Sequence, residues 1–150
     1  MRIKELIISE IEKKEKIDIG NFIELCQYGI NGYYTKNNPI GQKNDFITAP
    51  EISQMFGEIL GVYLINFWQK NIKTNFNLIE LGPGSGTLLI DILRTGKINK
   101  NFLNAANIIL IEKNKTLIKQ QKINLENSNI NKVNWFNNFN IKNKKPLIIF

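Results

Sequence analysis

Leu78-Ile79-Glu80-Leu81-Gly82-Pro83-Gly84-Ser85-Gly86-Thr87 is the stretch on which the reading of this 150-residue chain turns. Phe76 to Leu81 is a short apolar run of strand length, Gly82 to Gly86 a glycine-rich turn, and Thr87 to Arg94 a helical stretch with Gly96 as its stop. A strand running into glycines and then a helix gathers backbone N–H groups and the positive helix end at one point, which suits an anionic or strongly polar ligand. A side chain in the turn would block the ligand. Downstream the same grammar repeats. Asn107 to Ile111 reads as a second buried strand, and Leu117, Ile118, Gln121 and Leu125 as the apolar side of a helix. Val133 to Phe136 reads as a third strand and Pro146 to Phe150 as a fourth. Strands alternating with helices predict an α/β fold with a parallel, doubly wound sheet.

Upstream the pattern is helical. Ile3, Leu6, Ile7 and Ile11 recur at helical spacing, and Asp18 stands where it caps a second helix with Ile19, Phe22, Ile23 and Cys26 as its buried face. From Gly29 to Ala49 the periodicity disappears, which predicts loop with one short hairpin around Tyr33 and Tyr34. Thr48 and Glu51, with Pro50 between them, have the arrangement of a capping box. Ile52, Met55, Phe56, Ile59, Leu60, Tyr63 and Phe67 then predict one long helix with a single apolar stripe. Gly57 and Gly61, four apart, permit another backbone to approach closely. The change of grammar at Asn75 divides the chain into a helical and loop region, 1–75, and a strand–helix region, 76–150.

With 43% hydrophobic residues, nine Phe and two Trp, the chain has the means to pack a core. One cysteine and no histidine exclude an internal disulfide framework and a Cys/His zinc constellation, and predict no metal and a reducing, cytoplasmic home. No apolar run approaches the ~20 residues of a membrane helix. The net charge of +7 is spread with the abundant Lys, Asn and Ile rather than gathered in a patch, which argues against nucleic acid as the partner.

The ligand is narrowed by spacing. Glu112 follows the second strand, 26 positions past Gly86, where a carboxylate can accept from both hydroxyls of a ribose. A dinucleotide loop of the form G-x-G-x-x-G would need glycine at position 87, which is Thr. The glycines are instead Gly82, Gly84 and Gly86, preceded by Glu80. This G-x-G-x-G pattern resembles the first motif of class I S-adenosylmethionine methyltransferases. That resemblance implies a loop (Gly82, Gly84, Ser85, Gly86) facing the methionine part, Glu80 holding its ammonium group and Glu112 holding the ribose.

A longer likeness covers the chain from about Ile17 to its last residue. Gly32-Tyr33-Tyr34-Thr35, Asn44-Asp45-Phe46-Ile47-Thr48-Ala49-Pro50-Glu51-Ile52-Ser53-Gln54-Met55-Phe56-Gly57-Glu58 and Ile79 to Gly84 resemble the MidA family of class I methyltransferases. The resemblance implies a Rossmann-like class I methyltransferase fold whose sheet would be incomplete here, strands 3-2-1-4, with an N-terminal helical extension, so that 76–150 is the first half of the cofactor domain. It implies S-adenosylmethionine as cofactor and arginine N-methylation of a protein, in mitochondrial members a subunit of respiratory complex I whose assembly they support. Asn44 stands where the family commonly has Gly, and Ser85 where it often has Arg. Family members also continue far beyond the fourth strand, so the resemblance implies a shortened or split protein, an exposed fourth strand, and a second polypeptide as one way to complete the sheet.

An arginine acceptor is cationic and planar, which favours a carboxylate able to orient it. Asp45, Glu51 and Glu58 are available. Glu51 is accounted for by capping and Glu58 by a solvated helix face, which leaves Asp45, equally readable as a turn residue, as the catalytic candidate. Three readings stand at this point: a MidA-like protein methyltransferase, a non-catalytic binding module that keeps the glycine loop, and an NAD-binding domain.

Overall fold

The computed structural model describes residues 2–36, 39, 41, 44–140 and 144–150. The chain forms two compact units, 1–39 and 40–150. In the first, α1 (Ile3–Lys14), α2 (Ile19–Tyr28) and the one-turn α3 (Tyr33–Lys36) follow one another. Asp18 caps α2 as its residue type dictates, its carboxylate accepting from the Asn21 backbone at 3.0 Å. The expected hairpin at Tyr33 and Tyr34 is instead helix α3, where Tyr34 stacks on Tyr28 with centroids 5.7 Å apart. The expected buried face of α2 is not buried either: Ile19, Phe22 and Ile23 are exposed and Cys26 half-buried. The rest of the expected loop falls in part on 37, 38, 40, 42 and 43, outside the described residues.

The second unit begins with α4 (Ala49–Ile52) and α5 (Gln54–Asn71), followed by β1 (Phe76–Leu81), α6 (Thr87–Gly96), α7 (Lys100–Ala105), β2 (Ala106–Ile111), α8 (Lys115–Asn127), β3 (Val133–Phe136) and β4 (Leu147–Ile149). The four strands form one sheet in the order β3-β2-β1-β4, every pair parallel. β1 lies between β2 and β4, with Glu80 opposite Leu110 and Leu81 opposite Ile111, so its C-terminal end and the turn after it sit at the middle of one sheet edge. Phe76, Leu78 and Ile79 are wholly buried, and burial of such side chains stabilises by about 1.5–3 kcal/mol each. Trp68, Phe76 and Phe102 form an aromatic cluster with centroids 5.3–6.1 Å apart. A polar ladder crosses the sheet: Asn107 donates to Asn77 at 2.8 Å and Asn134 to Asn107 at 3.2 Å. Helix α7 was not foreseen; the Asn99 side chain caps it by accepting from the Phe102 backbone.

Two expectations about the long helix are corrected. It does not run unbroken from Thr48, because Ser53 is extended (φ −148°, ψ 121°) and separates α4 from α5. Its buried face is Gly57, Gly61, Leu64, Ile65 and Trp68, whereas Ile52, Met55, Phe56, Ile59, Tyr63 and Phe67 are exposed. The glycines decide this. A Cβ on Gly57 would stand 2.5 Å from Asp91 Cβ, and one on Gly61 3.0 Å from Thr95 Cβ and 3.2 Å from Ile92 Cα. Helix α6 therefore packs against the glycine face with no room for a Cβ at Gly57, and that contact outweighs the apolar stripe.

Candidate functional site

The turn between β1 and α6 is held from two sides. Gly82, Gly84 and Gly86 all have φ in the left-handed region, 66°, 55° and 85°. A Cβ on Gly82 would meet nothing within 4 Å, so glycine is required there by backbone conformation and not by lack of space. From one side α8 reaches in. Gln121 donates to the Gly84 carbonyl at 2.8 Å and to Glu112 Oε2 at 3.3 Å, and Asn124 donates to the Ser85 carbonyl at 2.9 Å. From the other side comes α4, whose Glu51 Oε1 accepts from the Ser85 hydroxyl and, at 2.9 Å, from the Thr87 hydroxyl. Glu51 thus does not close the expected capping box with Thr48, whose side chain makes no cap bond. Proline at the start of α4 leaves one fewer N–H to satisfy, and the carboxylate is spent on two hydroxyls 34 and 36 residues away.

Between α4 and the turn lies a cavity of about 210 Å³. Glu51, Glu80, Gly82, Gly84 and Ser85 line it together with Phe150 beyond β4. Glu80, at the end of β1, is 5% exposed, and its Oε2 has no hydrogen-bond partner among the described residues. Burial without a counter-charge pushes its carboxyl up to about 8. An orphaned buried carboxyl on a cavity wall is costly unless a donor or cation completes it. Among the described residues no Lys or Arg lines the cavity, and its two carboxyl groups are those of Glu51 and Glu80. At 210 Å³ it takes an amino-acid-sized group rather than a whole drug-sized ligand, whose pockets start near ~300 Å³.

Of the residues singled out from the sequence, Glu80, Gly82, Gly84 and Ser85 come together on this cavity. Gly86 stands at the N-cap of α6. Glu112 is buried one step away, linked to the turn through Gln121, with its Oε1 accepting from the Asn114 backbone at 2.8 Å. Asp45 is exposed and is not among the lining residues. Glu58 is engaged on α5, accepting from Gln54 at 2.6 Å and lying 3.6 Å from the Arg94 guanidinium. Sequence reasoning undervalued Glu51, and it treated Gln121 only as a position on a helix face; a polar residue at an apolar position of a periodic helix was the available signal. A larger cavity of about 750 Å³, beside α6 and α7, is lined by no carboxylate and holds none of the singled-out residues.

Comparison with known proteins agrees with this fold. Residues 59–150 match the profile of the family described as "Putative S-adenosyl-L-methionine-dependent methyltransferase". The human protein named "Protein arginine methyltransferase NDUFAF7, mitochondrial" is 43% identical over 101 residues, 63% of this chain and 23% of that protein. The mouse protein of the same name is 43% identical over 125 residues, 79% of this chain and 28% of its own length. The rat protein is 44% identical over 90 residues, 59% and 21%. The chain therefore spans about a quarter of the length of these curated relatives. Among solved structures, a superfamily member from Burkholderia thailandensis bound to S-adenosyl-homocysteine superposes with a TM-score of 0.75 at 20% identity, over 98% of this chain and 40% of that one. A native structure from the same organism gives 0.69 at 18%, over 98% and 38%. The likeness places the four-stranded sheet in the class I methyltransferase type of fold. The relatives' names also overturn the cytoplasmic expectation, since these proteins are named as mitochondrial. Cysteine usage reports a reducing environment and cannot tell one reducing compartment from another. Among the described residues no helix is long and apolar enough to cross a membrane.

Proposed function

The chain belongs to the S-adenosyl-L-methionine-dependent methyltransferase family that its residues 59–150 match, and from that premise we propose that it binds S-adenosylmethionine at the β1–α6 turn, with the methionine end in the Glu51–Glu80 cavity. The observation that carries this reading is the buried, unpartnered Glu80 Oε2 on the cavity wall. The ligand's ammonium supplies the donors that carboxyl lacks. Gly82, Gly84 and Ser85 give the backbone wall against which the amino-acid end lies. Glu112, held in place by Gln121 and the Asn114 backbone, keeps lone pairs for the two ribose hydroxyls.

When bound, the cofactor supplies an electrophilic methyl group on its sulfonium. The protein's part is alignment and exclusion of water. Glu80 fixes the ligand's ammonium, and α8 fixes the turn through Gln121 and Asn124. Asp45 would orient a guanidinium acceptor; the relatives' names, arginine methyltransferase, support such an acceptor. A protein arginine as substrate, a subunit of a respiratory complex as its carrier, support of that complex's assembly and a mitochondrial place belong to the same proposal.

Calorimetric titration of the chain with S-adenosylmethionine tests the reading. Saturable binding that Glu80→Gln weakens supports it, and no binding sinks it. A transfer assay on an arginine-bearing protein then separates an enzyme from a binding module. The dinucleotide alternative is disfavoured by the lining: a pyrophosphate at this turn would face two carboxyl groups and, among the described residues, no cation.

A further inference from the structure

We propose that Glu51 is a specificity-determining residue of this site, a carboxylate anchored on the cofactor turn that selects a cationic ligand end and rejects an anionic one; the inference rests on the reading just given. Three observations lead to it. The first is placement. Glu51 comes from α4, before the sheet begins, yet its Oε1 accepts from both Ser85 and Thr87, and the two hydroxyls stand 2.8 Å apart. A side chain with three rotatable bonds is thereby held against the turn.

The second is what the bonding leaves over. Each hydroxyl has one hydrogen, and each can spend it on Glu51 Oε1. Their remaining capacity on the turn is then acceptor capacity. Among the described residues both bonds fall on Oε1, which leaves Oε2 to a further donor. A glycine turn before a helix ordinarily favours anions. Here the Glu51 carboxylate sets acceptors beside those donors, which counters that preference.

The third is the companion group. Glu80, 95% buried and with Oε2 lacking a partner among the described residues, lines the same cavity, and no described Lys or Arg does. Two acids facing one small space, one of them unsatisfied, are complementary to a group that carries positive charge and several N–H donors.

The test compares the chain with its Glu51→Gln variant, titrated by calorimetry with S-adenosylmethionine, with adenosine and with ADP. Glutamine keeps an acceptor for the two hydroxyls and removes the charge. S-adenosylmethionine affinity is expected to fall about tenfold or more, the equivalent of one charge-assisted hydrogen bond, while adenosine affinity holds within about twofold. ADP is expected to bind the variant better than the parent. Parallel loss for S-adenosylmethionine and adenosine would show that Glu51 only braces the turn and would overturn the inference, as would no change for any probe. Should the variant not fold, the parent chain still decides the matter. Raising salt should weaken S-adenosylmethionine more than adenosine, and equal salt dependence overturns the proposal. A parent chain that binds no S-adenosylmethionine removes the functional reading itself and this inference with it, whereas an intact parent with an indifferent variant removes the inference alone.

Discussion

The Gln121 side-chain amide donates to the Gly84 carbonyl at 2.8 Å, so a residue in the middle of α8 fixes the conformation of a turn 37 positions earlier. The same amide donates to Glu112, and its oxygen accepts from the Trp135 indole at 2.9 Å. Gln121 is wholly buried and joins the glycine turn, the acid after β2 and strand β3.

Gln121→Leu should therefore be costly despite its similar volume. It strands the Gly84 carbonyl, a Glu112 oxygen and the Trp135 N–H, and each group left unsatisfied costs about 1–3 kcal/mol. With partial recovery through water, urea denaturation should report a loss of about 2–4 kcal/mol. A change under ~1 kcal/mol would mean that these bonds carry little net weight.

Glu80 gives a pH dependence whose sign is fixed by its direction of shift. Its carboxyl titrates near 4.5 when unfolded and about 8 when folded. Between those values the folded chain keeps a proton that the unfolded chain has lost, so stability falls as pH rises from about 4.5 to about 8 and levels beyond. The loss is on the order of a few kcal/mol. Unfolding free energies of the parent and of Glu80→Gln should agree near pH 4 and diverge upward, with the variant the more stable at pH 8.5. Parallel curves would refute the assignment.

A linked expectation concerns the ligand. At pH 7 burial keeps Glu80 mainly protonated, and a cation placed against it favours the charged form. Binding of S-adenosylmethionine should release a proton, measurable as a binding enthalpy that depends on the buffer's ionisation enthalpy. Glu80→Gln should abolish the dependence.

The sheet was legible because its strands are nearly continuous apolar runs broken by turn residues; the spans of β1 and β3 coincide with the expected ones, and the order β3-β2-β1-β4 follows from the resemblance. The glycine turn was legible for the same reason, whereas Glu80 was singled out only through the resemblance. The buried face of α5 was not. Hydrophobicity ranks Met55, Ile59 and Tyr63 above Gly57 and Gly61, but close helix approach rewards small residues, and periodicity cannot weigh one against the other. Glu51 was misassigned because a capping box is a local pattern, whereas its partners Ser85 and Thr87 arrive only when the chain folds.

Gly57→Ala tests which face of α5 matters. Alanine raises helix propensity by about 0.5–1 kcal/mol. Against that, its methyl would stand 2.5 Å from Asp91 Cβ, an atom one bond from the α6 backbone that cannot swing aside. Overpacking costs of about 1–3 kcal/mol should win, and the midpoint of thermal unfolding should fall. A rise would mean that α5 and α6 separate freely.

The opposite face should behave in the opposite way. Met55, Ile59, Val62 and Tyr63 are about half to two-thirds exposed (63%, 63%, 48% and 63%) and form a contiguous apolar surface along α5. Removing apolar groups that are not buried costs little folding energy, while an exposed apolar patch drives association. Ile59→Lys combined with Val62→Gln should leave the thermal midpoint within about 2 °C of the parent, since surface changes stay within ±0.5 kcal/mol. The same variant should shift light scattering toward smaller species and weaken binding of a hydrophobic dye. A large drop in stability would show instead that this stripe is packed in solution, and that the glycine face alone does not hold α5 in place.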